Sequence, residues 1–197
     1  MDDDIKSAHE IAMEKVARLG EVTDQERLSW KYVPEGEKLA ARYLKQGLNL
    51  VAEMSQYEEK VKEYVIKGAE GILARNINLP KDDTNKKTNR RAMHGLKTLK
   101  RDKVGVENVF SQMRRLFDHY LETGEQQRRQ AYESLKTEFN AKVQQAVQQQ
   151  MGLPMGIKID VEREPQFQEE WRRMQAQLET PYLGYLDQYK QALASIA

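Results

Sequence analysis

The sequence contains no cysteine, only five prolines among 197 residues, and three histidines. Without cysteine there are no disulfides and no thiolate metal sites, which fits a reducing compartment. No apolar run approaches the roughly 18 residues that a membrane-spanning helix needs. The opening Met1-Asp2-Asp3-Asp4 is acidic where a secretory signal is basic. The expected location is therefore cytoplasmic, with no membrane contact. Glycine-rich phosphate loops and nucleophile elbows are missing too. None of His9, His94 and His119 follows a glutamate by three residues, so the paired Glu-x-x-His motif of a di-metal bundle is not formed. His119, with Asp118 beside it and Glu122 three residues on, is the nearest thing to an ion site. It reads as a surface histidine among carboxylates. The expectation is no enzyme, no metal and no cofactor, with a hydrolytic or metal-dependent activity at His119 the weakest of three hypotheses.

What the chain does have is helix formers. Hydrophobic residues make up 39% and charged residues 32%, and Glu, Lys, Gln, Ala and Leu dominate. Val109, Phe110, Met113, Leu116, Phe117, Tyr120 and Leu121 recur in steps of three and four, one face of a helix. The stripe resumes at Ala131, Tyr132, Leu135, Phe139 and Val143. Between the halves lies Gly124, where a helix over 106–151 either runs through a weak point or breaks into a hairpin. The continuous helix is preferred, because helix formers flank the glycine and no proline interrupts. The glutamine-rich end of this stretch keeps an apolar face and reads as helix. A second stripe from Ala40 to Leu73 has coiled-coil-like spacing and predicts one long helix over 34–75, opened by Pro34.

Shorter elements surround these two. Asp2–Asp4 start a helix that Gly20 ends. Thr23-Asp24-Gln25-Glu26 is a capping box, and Trp30 and Tyr32 are expected to tuck the connector behind it against the bundle. A basic helix spans 84–103, with Gly105 marking a kink or break after it. Residues 157–162 alternate apolar and polar, the only strand-like run. Pro165 and then Pro181 open C-terminal helices over 164–197. The predicted class is all-α. The predicted architecture is an elongated antiparallel bundle, one extended domain over 1–197, with 1–33, 84–103 and 164–197 packed along two long helices. A homodimer is compatible with stripes that local partners cannot cover.

Charge is unevenly spread. Residues 84–103 hold eight basic residues and one acid, a local +7 against a total of +1, leaving −6 elsewhere. Lys86, Lys87, Arg90, Arg91, Lys97, Lys100 and Arg101 are the candidate polyanion or partner contacts. Positions 86, 90, 94, 97 and 101 share one helical face. Such a stripe suits phosphates or an anionic lipid surface, but its apolar side lacks Trp and Phe and does not suit insertion. The alternative is a solvated face paired with acids such as Glu53, Glu58, Glu59 and Glu63. The expected function is a non-enzymatic helical scaffold or adaptor for a protein partner. A nucleic-acid-associated protein using the basic helix, without sequence preference, is the alternative.

The opening Lys6-Ser7-Ala8-His9-Glu10-Ile11-Ala12-Met13-Glu14-Lys15, closing with Leu19-Gly20, resembles the start of an uncharacterised group of small bacterial helical proteins. The resemblance implies a bacterial, cytoplasmic, non-catalytic protein.

Overall fold

A computed structural model describes residues 23–151 and 160–196. The helix expected before Gly20, and the residues that carry the N-terminal resemblance, lie outside them. Every regular element among the described residues is helical, as an all-α chain requires. They are α1 (Asp24–Gln46), α2 (Leu50–Met54), α3 (Glu59–Arg75), α4 (Asp83–Leu99), α5 (Lys103–Leu121), α6 (Thr123–Met151), a 3-10 turn (Val161–Arg163) and α7 (Pro165–Ser195). Where the sequence was read as one extended domain, the chain divides into two compact units, Met1–Leu73 and Ala74–Ala197.

In the first unit, α1 starts at the capping box. The Thr23 hydroxyl accepts from the Glu26 amide at 3.2 Å, and the Glu26 carboxylate accepts from the Thr23 amide at 2.8 Å. That backbone hydrogen bond, then the one from the Thr23 hydroxyl, holds the Glu26 carboxyl below its ordinary range. The helix then passes through Pro34 instead of starting there. Proline removes one helical hydrogen bond, and buried Gly36, Leu39, Ala40 and Tyr43 carry the helix past it. Trp30 does not tuck in; it is 67% exposed.

The single helix expected over 34–75 is three helices. α1 ends at Gly47, whose φ of 71° is a left-handed cap, and the Asn49 side chain caps α2 by accepting from Val51 and Ala52. α1 and α3 meet at two glycines. A Cβ on Gly36 would sit 1.9 Å from the Val65 carbonyl oxygen, and one on Gly68 would sit 2.0 Å from that of Val33. The backbones touch where no side chain intervenes. Glu53 pairs with Arg42, Glu58 with Lys60 and Glu59 with Lys62, all within this unit.

In the second unit, α7 packs on both α5 and α6. The expected 106–151 helix is interrupted at one residue. Glu122, with ψ of −77°, separates α5 from α6, yet its amide still bonds to Asp118 and its carbonyl to Gln126. Gly105 lies inside the first turn of α5 instead of before it, where its amide donates to the Asp102 carboxylate at 2.8 Å. Val161 and Glu162 belong to a 3-10 turn, so the strand expected over 157–162 is not formed by its described residues. Buried Val161 joins Leu135, Phe139 and Phe167 in a cluster between α6 and the start of α7. Pro181 lies inside α7, which runs unbroken instead of restarting there.

Candidate functional site

α4 is the basic helix of the sequence. The Asp82 side chain caps it by accepting from the Asn85 amide at 2.7 Å. Its apolar residues Ala92, Met93 and Leu96 turn inward, and Lys86, Arg90, His94 and Lys97 run beside Met93 along the edge of that face. Before α4, the 76–82 loop is pinned by buried Asn89. The Asn89 amide nitrogen donates to the Asn78 carbonyl at 2.6 Å, and its oxygen accepts from the Asn78 amide at 2.9 Å.

α5 lies against α4. Glu107, Phe110, Arg114, Phe117 and Asp118 recur on one face of it. The two helices and Pro80 enclose a groove of about 440 Å³. Met93, Phe110 and Phe117, each at most 8% exposed, form its floor. Lys86, Arg90, His94, Lys97 and Arg114 stand along its walls, with Glu107 and Asp118 among them.

Glu107 organises these charges. Its carboxylate takes Lys97 from α4 at 2.6 Å and Arg114 from α5 at 2.5 Å. Those hydrogen bonds, Lys97 first and then Arg114, hold its carboxyl below the ordinary glutamate range against a smaller opposing effect of desolvation. Lys86 reaches Asp83 at 3.3 Å. Arg90 and His94 are exposed, and their side chains have no bonded partner among the described residues.

Three of the seven predicted contact residues, Lys86, Arg90 and Lys97, therefore meet in the groove, with His94 beside them. Lys87 and Arg91 are exposed outside its lining. Lys100 is not a surface contact. It is 6% exposed and its ammonium donates to the Ile196 carbonyl at 2.5 Å. Arg101 follows the end of α4, so it does not continue the 86–97 face. Lys103 spans the helix junction and donates to the carbonyls of Lys97 and Thr98, the usual place for a cation at a helix C-terminus. Sequence reasoning missed Glu107 and Arg114, and took Asp118 only as a neighbour of His119. The i, i+7 spacing of Glu107 and Arg114 was visible, but only the apolar stripe between them was read.

A second polar cluster sits where α5, α6 and α7 meet. The Tyr120 hydroxyl donates to Glu179 at 3.0 Å, and Glu179 also takes Lys81 at 2.6 Å. The Arg128 guanidinium lies 4.2 Å from the Tyr120 ring centre. Burial, and then the bond to Glu179, pushes the Tyr120 hydroxyl up to about 12. His119 Nδ1 is 3.0 Å from the Tyr182 hydroxyl, which makes it a hydrogen-bonding partner of α7. Among the described residues, no three His, Asp or Glu side chains are grouped to hold a metal ion. Lys81 and Arg128 of this cluster are already engaged, whereas the α4–α5 groove keeps one cation, Arg90, whose side chain has no bonded partner among the described residues.

A family model described as a family of unknown function (DUF6657) matches residues 51–195. That span contains α3 and every residue of the groove. No curated protein and no solved structure matches the chain.

Proposed function

The chain belongs to this family of unknown function, and we propose from its own geometry that it is a non-enzymatic helical adaptor whose α4–α5 groove receives an acidic segment of a partner protein. The observation that carries this is the pairing of an apolar floor with one uncommitted guanidinium and one imidazole. Phe110, Phe117 and Met93 lie beneath Arg90 and His94, which are exposed and whose side chains have no bonded partner among the described residues. Amphipathic segments bind in such grooves by apolar anchors, with flanking charges setting partner choice and encounter rate. A non-enzymatic role is favoured by Glu107. A carboxylate held anionic by two cations has no proton to give at neutral pH and is a poor base. The absence of cysteine and the N-terminal resemblance favour a bacterial cytoplasm as the setting.

Nucleic acid is the less favoured partner. Of the cations in 84–103, Lys100 is buried, Lys103 is spent on carbonyls and Lys97 is held by Glu107. That leaves five of the eight. Of these, Lys86 pairs with Asp83 and Arg101 lies beyond the end of α4, so the continuous basic stripe that would track a phosphate backbone is shortened. The test is fluorescence anisotropy with a labelled peptide carrying Phe and Leu at i, i+4 and i+7 and Glu elsewhere. It is run beside a gel shift with duplex DNA. Salt-sensitive peptide binding, weakened about threefold by Arg90→Ala, is expected. Tight DNA binding with no peptide binding would replace this reading with the nucleic-acid one.

A further inference from the structure

We propose that Glu107 is an internal stand-in for the partner's carboxylate, which must displace it from Lys97 and Arg114 to seat in the groove. The inference rests on the adaptor reading above and adds a residue that limits affinity and selects for anionic partners. Three observations carry it.

First, Glu107 bridges the two walls. Lys97 comes from α4 and Arg114 from α5, and each takes a different oxygen of the one carboxylate. A ligand carboxylate accepting two donors would occupy the same position. Arg114 is two turns along its own helix from Glu107, so its side chain reaches back toward the helix start to make the bond.

Second, the bridge is exchangeable. The side chains of Glu107, Lys97 and Arg114 are 41%, 45% and 51% exposed. Ion pairs so open to water contribute little and trade partners readily. Once displaced, the Glu107 carboxylate has water at hand to solvate it.

Third, the groove has a landing point and an internal comparison. The side chains of Arg90 and His94 have no bonded partner among the described residues and line the same groove, so an acidic segment meets these donors before it meets the bridge. Asp118 lines the groove too, but among the described residues its side chain holds no cation. Removing its charge changes the field without freeing a partner.

The experiment titrates the same Phe/Leu/Glu peptide into the full chain as wild type, Glu107→Gln, Glu107→Asp and Asp118→Asn. Circular dichroism melts confirm that each variant is folded. Glu107→Gln should tighten binding about threefold, and Asp118→Asn should change it less. Glu107→Asp keeps the net charge but shortens the reach, so it should also tighten binding. Unchanged or weaker binding in Glu107→Gln, with wild-type binding intact, would make Glu107 a clamp between helices. That result overturns the inference and leaves the adaptor reading standing. Equal tightening in Glu107→Gln and Asp118→Asn would reduce the effect to net charge and likewise overturn the inference. Absence of salt-sensitive binding in both wild type and Glu107→Gln would overturn the adaptor reading and the inference together.

Discussion

Asn89 serves the 76–82 loop as a strand would serve its neighbour, with one donor and one acceptor matched to the Asn78 backbone. It is 3% exposed, so water does not reach it freely. Replacing it with alanine leaves two backbone groups without their partners in a site with little water. The expected cost is about 2 kcal/mol, read by urea denaturation. An effect below a few tenths of a kcal/mol would mean that the loop finds other partners. Tyr120 gives a prediction with a pH sign. In the fold its hydroxyl holds its proton to about 12, against 10.0 as the reference for an unperturbed tyrosine. The protonated form is the one the fold favours, so its contribution is complete below pH 10 and drains as pH rises from 10 to 12. Tyr120→Phe should cost about 1.5 kcal/mol at neutral pH through the lost bond to Glu179. The variant should also lose stability less steeply than wild type across the alkaline window. Tyr57 and Tyr132 are raised as well, so the measurement is the difference between the two proteins. Parallel alkaline curves would show that the Tyr120 hydroxyl is not the group responsible.

At the scale of elements, the closest packing falls where side chains are missing. Gly68 lies against the Val33 carbonyl and Gly36 against that of Val65. An added methyl at either site has backbone, not a flexible side chain, to push against. Gly68→Ala should therefore destabilise the first unit by about 3 kcal/mol or more. Hydrogen exchange should show faster opening in α1 and α3 while α5 and α7 keep their protection. Equal loss in all four helices would mean that the chain opens as one cooperative body. These glycines mark what was legible in the sequence and what was not. The Thr23–Glu26 capping box and the 86, 90, 94 and 97 face could be read, because each depends on residues within one or a few turns. The contact of Gly68 with Val33 could not be read, since nothing local to Gly68 points to Val33. The break at Gly47 was missed for a different reason. Leu44, Leu48 and Val51 continue the apolar spacing straight across it, and the periodic signal outweighed the glycine and the Asn49 cap that follows. At Pro34 and Pro181 the error ran the other way. Proline was read as a helix start, while packing of Gly36, Leu39 and Ala40 around the first, and of Tyr182 and Leu186 beside the second, carries each helix through.

For the molecule as a whole, the groove belongs to one unit. Each residue that lines it falls between Pro80 and Leu121, inside Ala74–Ala197. The same unit ties its two ends together. Lys81, before α4, bonds to Glu179 on α7, and Lys100, after α4, donates to the Ile196 carbonyl. It also has apolar burial of its own in Phe110, Met113, Phe167, Leu186 and Leu193, none more than 2% exposed. A length of about 120 residues is ample for an independent core. A fragment of residues 76–197 should therefore unfold in urea as one cooperative transition and retain helical circular dichroism. It should bind the acidic Phe/Leu/Glu peptide within about twofold of the full chain, because the groove's cations and floor come with it. If the fragment is helical but unfolds without a cooperative transition, the second unit depends on the first for its packing. If it folds cooperatively and no longer binds the peptide, the contacts that matter for binding lie before residue 76, and the α4–α5 groove is not where the partner docks.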